Sequence, residues 1–132
     1  ISFSYRSSKI LDNQIISKAY FKINYGSAKV IKEKMQSIKR QRLSSQPIVN
    51  RTSGSTFKNP PNLFAAKLIE DTGCKGMSFG DAFVSNKHAN FLINNGKAKA
   101  SDLENLGKLI IEKVYNKYEV KLDWEVKIIG DQ

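Results

Sequence analysis

Hydrophobic and polar positions change period four times along this 132-residue chain. From Ile15 to Tyr25 they alternate, with Ile15, Ala19, Phe21 and Ile23 on one side and Lys18, Tyr20, Lys22 and Asn24 on the other, the period of a half-buried strand. Tyr25-Gly26-Ser27 interrupts this run, and Ser27 is placed to cap a helix whose apolar stripe is Val30, Ile31, Met35 and Ile38. A loop is expected over 43–61, and a loop of that length in a compact domain is usually functional. Asn62 then stands as a cap for a second helix carrying Leu63, Phe64, Ala66, Leu68 and Ile69 and stopping near Gly73. Phe79 to Ser85 and Ala89 to Ile93 read as strands, the second closed by Asn94-Asn95-Gly96. Ser101-Asp102-Leu103-Glu104 has the form of a capping box, opening a third helix with Leu103, Leu106, Ile110 and Val114 on one stripe. A last strand is expected where Leu122, Trp124, Val126 and Ile128 alternate with Asp123, Glu125, Lys127 and Ile129.

Charge divides the chain where hydropathy does not. Residues 1–61 hold 12 lysines and arginines against Asp12 and Glu33, whereas residues 62–132 hold ten of each sign, so the whole net charge of +10 lies in the first part. Lys29, Lys32, Lys34, Lys39, Arg40 and Arg42 line the polar side and exit of the first helix. A polyanion, a phosphate on a small ligand or plain solvation would each account for them. The chain has no helix-turn-helix or zinc-finger spacing and no aromatic stacking motif for single strands, which disfavours nucleic acid. No apolar run approaches the length of a membrane span. Cys74 is the only cysteine and His88 the only histidine, which excludes an intrachain disulfide and a cysteine metal cluster and points to a reducing cytoplasm. Each of the two is expected as a packed side chain before a reactive one. The chain opens at Ile1 without an initiating Met or the apolar core of a secretory signal, so a piece of a longer protein is expected.

Chemistry concentrates in Arg51-Thr52-Ser53-Gly54-Ser55-Thr56-Phe57-Lys58-Asn59-Pro60-Pro61. Gly54 admits backbone angles closed to other residues, and the two prolines fix their own φ and hold Asn59 extended. The Ser55 hydroxyl, the Lys58 cation and the Asn59 amide together suit an anionic, oxygen-rich ligand, and a role-free surface loop is the plain alternative. Glu125 lies mid-strand, facing either solvent or a site.

Four blocks in order carry a resemblance: Gly54-Ser55-Thr56-Phe57-Lys58-Asn59-Pro60, Ala66-Lys67-Leu68-Ile69-Glu70, Val84-Ser85-Asn86-Lys87-His88-Ala89-Asn90-Phe91 and Glu125-Val126-Lys127-Ile128-Ile129-Gly130. Together they resemble the carboxy-terminal half of the UDP-N-acetylenolpyruvoylglucosamine reductase (UDP-N-acetylmuramate dehydrogenase) family, from about Phe3 to Gly130. The short path from Asn59 to His88 resembles the subtype without an extra substrate-loop insertion. The family's Gly-Gly and Gly positions are here Gly80-Asp81 and Ala66.

The resemblance implies an α+β fold: residues 1–44 as the end of a FAD-binding domain, and residues 45–132 as a small mixed α/β substrate-binding domain. It implies a cytoplasmic flavoprotein oxidoreductase of bacterial peptidoglycan precursor synthesis, serving cell-wall biogenesis, cell shape and cell division, with FAD as cofactor and NADPH as co-substrate. The substrate would be UDP-N-acetylglucosamine enolpyruvate. Carried over residue by residue, Ser55 resembles the proton donor, Arg6 the arginine facing the substrate carboxylate and Glu125 the acid completing the pocket. Asn59, Lys58, Arg40, Arg42 and His88 would bind substrate, and Gly54 is a candidate beside the cofactor. The amino-terminal FAD-binding domain is the implied partner, and without it the chain is expected to lack reductase activity. A basic nucleic-acid-binding module and a non-catalytic nucleotide-sugar-binding remnant are the alternatives.

Overall fold

The computed structural model describes residues 2–4, 7–10 and 13–130. It opens with an antiparallel ribbon of β1 (Phe3–Ser4) and β2 (Ser7–Ser8), Phe3 opposite Ser8. The alternating stretch from Ile15 to Tyr25 is not a strand. It runs without helix or ladder, and Ile15, Tyr20, Phe21, Ile23 and Tyr25 are all exposed. Alternation describes a face to be buried, but a strand also needs a neighbour for its N–H and C=O groups, and no described segment pairs with this one.

The first helix, α1 (Ala28–Ser45), follows Ser27 as expected, although the Ser27 hydroxyl makes no capping bond. It continues past the expected loop start at residue 43: the Ser44 and Ser45 hydroxyls donate back to Gln41 O at 2.9 and 2.8 Å, and the loop begins only after them. No residue of α1 is buried, and its stripe of Val30, Ile31, Met35 and Ile38 is 48–66% exposed.

The packed body begins beyond it. In α2 (Ala65–Asp71), Ala65, Leu68 and Ile69 are buried, while Leu63 and Phe64 precede the helix and stay exposed. Asn62 does not cap it; that residue turns at φ 59°, and the cap comes from Asn59, whose Oδ1 accepts from Ala65 N at 3.0 Å. Gly73, at φ 73°, provides the expected left-handed stop.

A three-stranded antiparallel sheet, in the order β3 (Ser78–Phe79), β4 (Ala82–Val84), β5 (Leu92–Asn94), replaces the two longer strands expected. Gly80-Asp81 makes a tight turn inside the span read as one strand, pairing Phe79 with Ala82. Gly80 sits at φ 55°, with the Asp102 carboxylate where a Cβ would stand, so the position needs glycine twice over. The Asp81 carboxylate accepts from Lys97 N at 2.8 Å.

The last helix, α3 (Ala100–Tyr118), packs across the sheet and against α2, burying Leu106, Gly107, Ile110 and Val114. Its start lies two residues before the expected box: Asp102 Oδ2 accepts from Lys99 N at 2.8 Å, and Lys99 O accepts from Asp102 N. The terminal strand is reduced to one bridge, Trp124 to Phe57. Trp124 instead lays its ring over Gly107, close enough to leave no room for a Cβ. Helix α3 across the antiparallel sheet, with α2 packed against it, around a core that includes Phe57, Ile69, Val84, Leu106, Ile110 and Leu122, makes the α+β class expected. Among the described residues, no helix is long and apolar enough to cross a membrane, and no group of three His, Cys, Asp or Glu side chains could hold a metal.

Candidate functional site

The segment Gly54-Ser55-Thr56-Phe57-Lys58 runs between two others as the middle member of an irregular ladder. On one side Ser55 bridges Phe91, and Thr56 N donates to Asn90 O at 2.8 Å. On the other, Glu125 N donates to Thr56 O at 2.9 Å and Lys58 N donates to Asp123 O at 2.8 Å. The Asn90 side chain adds two bonds: its Oδ1 accepts from Phe57 N at 2.9 Å, and its Nδ2 donates to Phe57 O at 2.8 Å. Phe57 itself is buried, its ring 4.9 Å from that of Trp124. Upstream, Gly54 at φ 92° donates its N–H to Thr52 Oγ1, and Asn94 N donates to Arg51 O. Backbone bonds on both edges and an aromatic anchor beneath hold the loop as one shape.

Ser55 is half-buried and lines a cleft of about 460 Å³ with Arg42, Asn50, Ser53, Gly54 and Phe91. Arg42 comes from the last turn of α1, whose end is tied to the body where Lys87 Nζ donates to Leu43 O at 3.1 Å. A hydroxyl, an amide and a guanidinium on one wall can bind an oxyanion and deliver a proton beside it. A larger cleft of about 520 Å³ lies on the other side of Thr52 and Ser53, walled mainly by Leu92, Leu103, Trp124 and Ile128. Its apolar walls suit packing better than chemistry. Thr56 borders it, but the Thr56 hydroxyl is sealed from solvent and has no partner among the described residues.

The expected site residues divide between these places. Gly54, Ser55 and Arg42 share the smaller cleft. Glu125 is half-buried on the ladder, one register step from Ser55 through its bond to Thr56. Asn59 and Lys58 lie at the far end of the same segment, Asn59 with its Oδ1 committed to α2. Arg40 is exposed on α1 and is not among the residues lining either cleft. His88 sits behind the cleft wall, its ring edge-on to Phe91 at 4.7 Å and its Nδ1 accepting from Asn90 N at 3.3 Å. Burial holds the His88 pKa below 6.5, and nearby Lys75 lowers it further against the raising effects of a backbone hydrogen bond and Glu70. Arg6 lies outside the described residues.

The structure adds Asn90 to the residues that shape the site. Its signal is a carboxamide in the middle of the apolar run Ala89-Asn90-Phe91-Leu92-Ile93, where a polar side chain must have dedicated partners.

Residues 46–129 match the domain family described as UDP-N-acetylenolpyruvoylglucosamine reductase, C-terminal domain. The UDP-N-acetylenolpyruvoylglucosamine reductase of Rickettsia massiliae is 48% identical over 130 residues, covering 98% of this chain and 44% of the relative. That of Rickettsia typhi is 45% identical over the same length. The crystal structure of the reductase from Thermus caldophilus superposes with a TM-score of 0.63 at 35% identity, over 79% of this chain and 37% of that one. The present chain thus spans less than half the length of the relatives it matches. The match over residues 46–129, which includes the ladder-held Gly54-Ser55 segment, leads to one assignment: this chain belongs to the UDP-N-acetylenolpyruvoylglucosamine reductase family.

Proposed function

We propose that this chain is the substrate-binding, carboxy-terminal part of a cytoplasmic reductase that converts UDP-N-acetylglucosamine enolpyruvate to UDP-N-acetylmuramate, using FAD and NADPH, in peptidoglycan precursor synthesis. The observation that carries this reading is the seating of Ser55 on a backbone-pinned ladder, at a cleft rimmed by Arg42. Residues 1–44 belong to the flavin-binding domain and residues 45–132 to the substrate domain, and the partner is the amino-terminal domain that binds most of FAD. The Ser55 cleft carries one charged side chain, Arg42, among neutral lining residues, which fits a chain that supplies the substrate-facing wall.

FAD, when bound, supplies the hydride that adds at C3 of the enolpyruvyl group. Electron density then collects at C2, and the Ser55 hydroxyl delivers the proton there. A serine is a weak acid, but it is adequate against an enolate when a hydrogen-bonded relay returns its proton. The Arg6 guanidinium holds the substrate carboxylate as charge spreads onto it, and Glu125 completes the pocket. Arg42 and Lys58, with Arg40 further out, match the charge of the diphosphate. Asn59, whose Oδ1 caps α2, has its Nδ2 to offer a sugar or phosphate oxygen. His88 acts through Phe91 on the cleft wall.

In the full-length enzyme, Ser55→Ala is expected to leave flavin reduction by NADPH unchanged while slowing flavin reoxidation by the enolpyruvyl substrate by about 100-fold or more, the scale of a lost general acid. Stopped-flow absorbance of the flavin measures both half-reactions, and equal losses in the two reject the assignment.

A further inference from the structure

We propose that Asn90 is a positioning residue for the Ser55 hydroxyl, holding it in register through the paired hydrogen bonds between its carboxamide and the Phe57 backbone; this rests on the reading of Ser55 as proton donor. A primary amide carries the same donor and acceptor as a peptide unit, so the Asn90 side chain does for Phe57 what a neighbouring strand would do. Its own carbonyl takes the next amide, that of Thr56. Three bonds of 2.8–2.9 Å from one residue therefore fix the two positions that follow Ser55. Asn90 is 4% exposed and Phe57 2%, so water cannot take over a lost bond without opening the core.

The ladder needs this substitute because regular pairing fails at this point. The Ser55 bridge to Phe91 is an isolated one, and the chain turns at Ala89-Asn90, so no strand runs alongside Phe57 on that edge. Glu125 and Asp123 hold the opposite edge, but they act on the Thr56 carbonyl and the Lys58 amide and leave the Phe57 pair to Asn90. Asn90 itself does not line the Ser55 cleft. It reaches the chemistry only through the backbone it holds, and a displacement of about 1 Å at a reacting group costs about 100-fold in rate.

The test uses the full-length enzyme with its flavin and compares Asn90→Ala, Asn90→Asp, Ser55→Ala and the Asn90→Ala/Ser55→Ala double variant, each checked for bound flavin and thermal melting. Asn90→Asp keeps an acceptor for the Phe57 amide and, in the protonated form that burial favours, a donor to its carbonyl, so it serves if the alanine variant does not fold. Flavin reduction by NADPH is expected within about twofold of wild type, while reoxidation by the enolpyruvyl substrate falls by about 10- to 100-fold for Asn90→Ala and less for Asn90→Asp. In the Ser55→Ala background, Asn90→Ala is expected to slow reoxidation no further, because a residue that acts through the hydroxyl has nothing left to position. Equal slowing of both half-reactions, or a full additional loss in the double variant, overturns the assignment. A Ser55→Ala enzyme with unchanged reoxidation overturns the reading of Ser55 instead, and normal reoxidation in folded Asn90 variants beside a slow Ser55→Ala overturns only Asn90.

Discussion

The helices α1 and α3 are nearly equal in length, 18 and 19 residues, and each carries an apolar stripe at helical spacing, yet one buries nothing and the other buries four residues. Their stripes differ little in composition: Val30, Ile31, Met35 and Ile38 against Leu103, Leu106, Ile110 and Val114. What differs is the company. Helix α3 lies on a sheet whose inward positions, Ala82, Val84 and Leu92, come from the adjacent thirty residues, whereas nothing described covers α1. A helical pattern therefore specifies a face but not its partner, and most helix stability comes from the partner.

Removing side chains from the two stripes measures that difference most directly. Ile110→Ala is expected to destabilise this chain by about 3–4 kcal/mol, through lost burial and the cavity left behind, whereas Ile38→Ala should change its stability by less than about 0.5 kcal/mol. Urea unfolding followed by circular dichroism gives both numbers. If the flavin-binding half covers α1 in the longer protein, Ile38→Ala there should approach the cost of Ile110→Ala. Matching small losses for both variants in this chain would mean that α3 is no better anchored than α1.

A smaller effect comes from adding an atom instead of removing several. Gly107 faces the Trp124 ring, and a Cβ there would overlap it. The ring cannot swing aside freely because it packs on Phe57. Gly107→Ala is expected to lose about 1–2 kcal/mol: overpacking of up to about 3 kcal/mol, offset by the roughly 1 kcal/mol that alanine contributes over glycine inside a helix. In α1, Ser37→Ala meets no packed neighbour and should leave the chain equally stable or slightly more so. A stabilising Gly107→Ala would show that Trp124 yields, and that the lid it forms over α3 is loose.

What the sequence makes legible follows the same division. Helices are legible because their period is local: the box at Ser101 marks the start of α3 to within two residues, and Leu106, Ile110 and Val114 of its stripe are buried. Strands are not, because pairing is decided elsewhere in the chain. The 15–25 run alternates as well as any strand but pairs with no strand among the described residues, and the last segment bridges Phe57 at one position only. Gly80-Asp81 was readable as a two-residue hairpin turn, but the apolar residues around it invited one continuous strand. At the site, Gly54 and Ser55 were marked by turn chemistry. The role of Asn90 depends on a partner 33 residues away, which no local signal names.

The gentlest probe is protonation of His88, which packs against the anchored side of the molecule through Phe91. Desolvation disfavours its charged form, and Lys75 adds repulsion, so its pKa in the folded chain is below the ordinary 6.5. The sign follows from proton uptake: as pH falls, the unfolded chain binds the proton first, so the stability associated with neutral His88 is complete above about pH 6.5 and declines as pH drops towards the folded value. Its geometry agrees, because Nδ1 accepts from Asn90 N and must be unprotonated to do so. His88→Phe keeps a ring for Phe91 and removes the titration. Melting temperatures of the parent chain and the variant should therefore change in parallel above pH 7 and diverge below pH 6.5, the parent falling faster. Parallel curves down to pH 5 would mean that the imidazole accepts its proton without cost, and that the contact at Asn90 N contributes nothing to holding the ladder.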